Sequence, residues 1–179
     1  ALSGLYLSQL YDAINAVLAE NGYNLLMSKW QLQHDQDDEE IETLLQYSVD
    51  GIITMPRIEQ PLDETLYPDL IRQGRKIVFV NEKYDGDNAC SVYSDDLNGS
   101  TEAMNFLLGQ GHRHIACVEV GSGLSTGLLL RRQGYEEALR NAGLPLRREY
   151  VCNTEHNRLD AWLPRLVAQH PDITAIFCF

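Results

Sequence analysis

Ser94-Asp95-Asp96-Leu97-Asn98-Gly99 opens one segment, and Gly109-Gln110-Gly111-His112-Arg113-His114-Ile115-Ala116 closes it and begins the next. These residues read as a turn, a helix, a glycine stop and a new buried strand. Asp95 or Asp96 can cap the helix, because a carboxylate accepts from backbone N–H groups that have no partner inside a first turn. Ala103, Phe106, Leu107 and Gln110 follow at helical spacing, which predicts an inward face carrying the apolar three. Gly109 and Gly111 can take the left-handed conformation that ends a helix. Ile115-Ala116-Cys117-Val118 has the unbroken apolar run of a strand covered on both faces.

The same alternation extends outward. Leu7, Leu10, Tyr11, Ile14, Val17 and Leu18 share a helical face that Asn21-Gly22 ends, and residues 24–29, with Leu25-Leu26-Met27 at their centre, read as a strand. Residues 39–46 read as a helix with Ile41, Leu44 and Leu45 inward. The acidic run 35–42 reads as a solvated helix start, where carboxylates complement the helix dipole, rather than a cation site. Strands follow at 51–55, 76–80 and 91–93, with a short helix between the first two in which Pro68 sits in the first turn. After 115–120 come a Gly/Ser/Thr loop at 121–127 and a helix through Ala142, stopped by Gly143 with Pro145 beyond. A strand at 150–152, a helix carrying Leu159, Trp162, Leu163, Leu166 and Val167, and a strand at 175–179 complete the chain. Strands alternating with helices predict parallel sheets built from right-handed crossovers.

Composition narrows the function. The chain has 179 residues, 44% of them hydrophobic, enough for one good-sized domain or two small lobes with a real core. Its formal net charge of −12 argues against nucleic-acid binding through its own surface, because phosphate contacts need a basic face. Cys90, Cys117, Cys152 and Cys178 form no Cys-x-x-Cys pair, and Cys117 and Cys178 fall in strands expected to be buried. Free thiols in a cytoplasmic protein are the reading. The five histidines lack metal-ligand spacing, so no bound metal is expected, and no cofactor either. No Gly-x-Ser-x-Gly, phosphate-binding glycine loop or Ser/His/Asp set points to catalysis.

Three motifs, in order, carry a family resemblance. Val49-Asp50-Gly51-Ile52-Ile53 begins a strand. Asp95-Asp96-Leu97-Asn98-Gly99 is followed, twelve residues after its glycine, by Gly111-His112-Arg113-His114-Ile115-Ala116. Arg131-Arg132-Gln133-Gly134-Tyr135-Glu136-Glu137-Ala138-Leu139 matches Arg-x-x-Gly-Tyr-x-x-Ala-Leu. Together they resemble the effector-binding core of the lactose/galactose repressor family, over nearly the whole chain. The resemblance implies an α/β, two-lobed, periplasmic-binding-protein-like fold, each lobe a parallel sheet flanked by helices. Residues 1–110 would form the N-terminal lobe and 111–179 part of the C-terminal lobe. By the same comparison the chain is expected to be a fragment, lacking the strand before its first helix, about a third of the core beyond Phe179, and the DNA-binding headpiece.

In open parallel sheets, ligands bind beyond the carboxyl ends of strands. That rule selects Thr54 to Pro56, Asn81 to Lys83, Gly121 to Gly127 and Asn153 to His156. The resemblance adds roles. Tyr6 stands where an aromatic packs on the effector, although Leu7 replaces a second aromatic. Thr54 matches a polar pocket position. Asn81 stands where Asp is frequent and can both donate and accept. Arg131 is the motif arginine that reaches the ligand, and Ser125 lines the loop before it. Glu155 departs from a pocket aromatic. The residues themselves leave other readings open: Tyr6 in the core, Arg131 on a helix surface, Asn81 as a turn residue. The implied function is the effector-binding and dimerisation core of a bacterial transcriptional regulator. Its effector would be a sugar or sugar derivative, its partner a second copy, and operator DNA would be bound through the headpiece. A periplasmic sugar-binding protein of an uptake system is the alternative; no enzyme is expected.

Overall fold

The computed structural model describes residues 2–28, 37–56, 65–120, 126–154 and 159–179. The chain divides into two compact units, Ala1–Asp50 and Gly51–Phe179. The first holds α1 (Leu2–Glu20) and α2 (Asp37–Gln46). Along α1, Leu7, Leu10, Tyr11, Ile14 and Leu18 are half-buried, but Val17 is 61% exposed and leaves the expected stripe. The helix ends where Gly22 takes φ +78° and the Tyr23 N–H returns to the Leu18 carbonyl. Residues 23–28 do not form the expected strand, and Leu26 and Met27 are exposed. The apolar pattern was present, but an extended segment becomes a strand only when a neighbour supplies ladder hydrogen bonds, and no described strand pairs with it.

The second unit contains two parallel three-stranded sheets, as expected. Sheet A runs β1 (Ile52–Thr54), β2 (Ile77–Val80), β3 (Cys90–Val92), with Ile52 opposite Ile77 and Val78 opposite Cys90. β-Branched residues dominate β1 and β2 because they pack well on a pleated surface. Between those strands lies α3 (Leu66–Arg72), with Pro68 in its first turn. Its buried Tyr67 meets Phe79 edge-on at 5.0 Å, and Tyr84 stacks on the same ring at 4.7 Å.

Sheet B has the order β5 (Val151–Thr154), β4 (Ile115–Val120), β6 (Ala175–Cys178). Central β4 is buried on both faces, as its apolar run requires. Ile115 and Cys117 pack with Met104, Tyr135, Ala138 and Leu139; Ala116 packs with Tyr150 and Leu166. These partners come from α4 (Asp96–Gly109), α5 (Thr126–Asn141), a 3₁₀ turn (Arg148–Tyr150) and α6 (Leu159–Gln169). The edge strand β6 alternates, so Ile176 and Cys178 are exposed, which corrects the reading of Cys178 as buried.

The organising helix is capped by Asp95, whose carboxylate accepts from the Asn98 N–H at 3.3 Å. It ends at Gly111, at φ +94°; Gly109 remains in the last helical turn. The inward face differs from expectation. Ser100 and Met104 are buried, Leu107 and Leu108 half-buried, while Ala103 is exposed and Phe106 is 66% exposed. The reason is α5. A Cβ on Gly134 would overlap the Ser100 hydroxyl and lie 2.9 Å from the Leu97 carbonyl oxygen. Here the two helix backbones touch, and a small serine faces the partner where periodicity alone would have placed a large residue. The buried contacts of α4 are thus with α5 and β4, whereas the expected division at 110/111 assigns this helix to the first lobe.

Candidate functional site

Sheet A presents two of the expected residues at adjacent strand ends. Thr54 closes β1 opposite Phe79, and its Oγ1 lies 3.4 Å from the Tyr67 hydroxyl. Asn81 follows the last residue of β2. It is exposed, its N–H bonds the Val92 carbonyl at 2.9 Å, and it holds φ +65°. Asparagine tolerates that left-handed backbone better than most side chains, because its short amide bonds locally. The chain therefore turns sharply away from the sheet just where a polar side chain stands at its carboxyl edge.

Arg131 lies in the second turn of α5. Its Nε donates to Asp96 Oδ1 at 2.7 Å, with the Asp96 side chain only 12% exposed. The two acids named together as caps have therefore separated their tasks. Asp95 holds the helix end, and Asp96, one residue on, grips the neighbouring helix.

The next residue turns the other way. Arg132 bonds Glu119 on β4 and Glu136 one turn along α5. Burial lowers its proton affinity, but the hydrogen bonds it donates to Glu119 and Glu136 outweigh this and hold it above the ordinary arginine range. Glu119 was missed in the sequence reading. Its signal was a carboxylate inside the otherwise apolar run 115–120, which needs a cation within reach.

The motif Arg-x-x-Gly-Tyr thereby acquires a physical content at every fixed position. Arg131 ties α5 to the start of α4, and Gly134 lets the helices touch. Tyr135 is 1% exposed and donates to the Ile115 carbonyl at 2.9 Å, anchoring α5 on β4.

Tyr6 belongs to the first unit, in α1, and is 48% exposed. Ser125 and Glu155 lie outside the described residues. Thr54 and Asn81 therefore share one edge, while Arg131 stands on another element and is engaged with Asp96. Among the described residues no three His, Cys, Asp or Glu side chains converge to hold a metal ion, and no helix is long and apolar enough to cross a membrane.

Comparison with known proteins follows this geometry. The family described as periplasmic binding proteins and sugar-binding domain of the LacI family matches residues 5–179. The HTH-type transcriptional regulator DegA of Bacillus subtilis is 26% identical over 153 residues, covering 86% of this chain and 45% of that protein. The HTH-type transcriptional regulator GntR of Escherichia coli is 24% identical over 185 residues, covering 99% and 53%. The chain thus spans about half the length of the curated relatives it matches. Among solved structures, the Escherichia coli transcriptional repressor AscG superposes with a TM-score of 0.81 at 24% identity, over 97% of this chain and 63% of that one. This likeness supports the expected α/β fold with parallel sheets flanked by helices. Because the family match spans nearly the whole chain, the chain belongs to the family of periplasmic binding proteins and LacI-family sugar-binding domains.

Proposed function

We propose that this chain is the effector-sensing and dimerisation core of a bacterial DNA-binding transcriptional regulator, holding a small polyhydroxylated molecule between two lobes. Asn81 carries the proposal: a non-glycine residue kept in the left-handed region at a strand's carboxyl end. Such conformations cost free energy and cluster at ligand clamps. Thr54 beside it offers a second neutral hydrogen-bonding group, suited to hydroxyls. Tyr6 and Ser125 supply further contacts in this proposal. The named relatives are HTH-type regulators, which favours this reading over an uptake protein.

In the proposed mechanism the chain supplies residues of two lobes, expected from the resemblance at 1–110 and 111–179. The packing of α4 on α5 and β4 supports moving the passage between them back to about residues 93–95. Arg131 contacts the effector from the second lobe, exchanging part of its bond to Asp96 for a ligand oxygen. A ligand that prefers the closed arrangement shifts the population toward it and so changes DNA affinity. DNA contact belongs to a basic module other than this acidic core, and the core pairs with a second copy of itself. Exposed, unpaired Cys90 and Cys178 support a reducing, cytoplasmic setting.

The test is a thermal-shift screen of sugars and sugar derivatives, followed by calorimetric titration with the best binder. Arg131→Ala is expected to weaken binding by about 1.5–3 kcal/mol, the range for a hydrogen bond to a charged group. Unchanged affinity in both Arg131→Ala and Asn81→Ala would overturn the proposed pocket.

A further inference from the structure

The proposed effector site lies toward the carboxyl ends of the strands. A second cavity, of about 200 Å³, lies at the opposite, amino ends of β4 and β5. Arg113, His114, Arg147 and Tyr150 form its polar wall, and Leu139 and Leu144 are among its apolar lining. Among the described residues no carboxylate lines it, in a chain whose net charge is −12. The acid of this cluster, Asp172, is already engaged. It accepts from the Tyr150 hydroxyl at 2.7 Å and lies 3.0 Å from His114 Nδ1 and 3.6 Å from Arg147.

The two guanidinium groups retain donors. Arg113 uses Nη1 alone, on the Leu108 and His112 carbonyls. Arg147 also uses Nη1 alone, toward the Tyr150 hydroxyl and Asp172, while its Cζ lies over the Tyr150 ring, 5.2 Å from the centroid. Among the described residues, Nε and Nη2 of both arginines are left to solvent or a ligand. A planar fork of N–H groups matches a carboxylate. The apolar lining suits a short organic body, and an apolar cavity of about 150 Å³ is known to take a benzene ring.

We propose that this cavity is a second small-molecule site that binds a small organic carboxylate. The carboxylate sits on Arg113 and Arg147, and its apolar body lies against Leu139 and Leu144. An occupant would join the end of α5 to the starts of β4 and β5, independently of the effector site.

The test is calorimetric titration of the full chain with benzoate and with benzyl alcohol at fixed ionic strength. The two probes share a ring and differ in charge. Benzoate is expected to saturate one site at millimolar concentration or below, with benzyl alcohol at least tenfold weaker. Arg147→Gln should weaken benzoate at least tenfold. Arg113→Gln, whose side chain is outside the Tyr150 network, should do the same and keeps the test available if the first variant misfolds. Arg75→Gln, at an exposed position near β2, should change nothing. Absence of saturable benzoate binding, equal binding of the alcohol, or unchanged affinity in both Arg113→Gln and Arg147→Gln would overturn the proposal.

Discussion

Gly134→Ala is the sharpest test of how this fold is held. In an ordinary helix interior, alanine is more favourable than glycine by about 1 kcal/mol. Here the new methyl meets the Leu97 carbonyl oxygen at 2.9 Å and the Ser100 Cβ at 3.0 Å, and it overlaps the Ser100 hydroxyl. The hydroxyl can rotate, but it then loses its 3.1 Å bond to the Leu97 carbonyl. The carbonyl and Cβ cannot rotate away, so α4 and α5 must part by some tenths of an ångström along their contact. Overpacking of this kind costs roughly 1–3 kcal/mol. Taking the upper end, because backbone is involved, and subtracting the propensity gain leaves a net loss of about 2 kcal/mol. For a chain of this size that lowers the melting temperature by about 4–8 °C. Urea unfolding followed by circular dichroism at 222 nm, beside calorimetric melting, reads both quantities. Adding Ser100→Gly should recover at least about 0.5 kcal/mol as a coupling energy between touching residues. A Gly134→Ala chain as stable as wild type, or more stable, would refute the close helix contact.

Arg132→Met leaves the Glu119 carboxylate, 12% exposed, without its cation, and should cost about 3 kcal/mol in urea unfolding, with much of it recovered by adding Glu119→Gln. Burial pushes the Cys117 thiol up to about 12 and the Cys152 thiol above its ordinary value, whereas Cys90 and Cys178 are exposed. An aromatic disulfide reagent at pH 8 should therefore titrate two thiols quickly in the native chain and four after denaturation. The Asp172 carboxyl is held below its ordinary value, first by the Tyr150 hydrogen bond and also by His114 and Arg147. Its stabilising contribution is present above the unfolded carboxylate value of 3.8 and is lost as pH falls through the lower folded value, so Asp172→Asn should flatten the acid limb of the urea-midpoint profile.

The sequence was legible where one residue answers to one local rule. Asp95 caps because its carboxylate reaches a free N–H, and Gly111 ends α4 because positive φ suits glycine. The run 115–120 was readable as a strand because both its faces are covered. Reading failed where the deciding partner lies far along the chain. The inward face of α4 is set by Gly134, so Ser100 faces inward and Phe106 outward against the apparent periodicity. Leu25 to Met27 has a strand's composition but no ladder partner among the described residues, and Cys178 is exposed because β6 is an edge. The position of Thr54 and Asn81 at strand ends was legible, because each closes a short apolar run. The bond from Arg131 to Asp96 was not, since nothing local to either residue names the other.

The strand orders carry a consequence for how the chain is assembled. In sheet A each strand meets the next one made, Ile52 with Ile77 and then Val78 with Cys90, so that sheet closes as it is synthesised. In sheet B the central strand comes first. Ile115 must wait for Ala175, across two helices and another strand, before its second edge is paired. Contacts of such long separation are the slow ones to form. Until β6 arrives, one side of the buried central strand offers unpaired N–H and C=O groups to any neighbour, which makes that edge the point from which a stalled chain would aggregate.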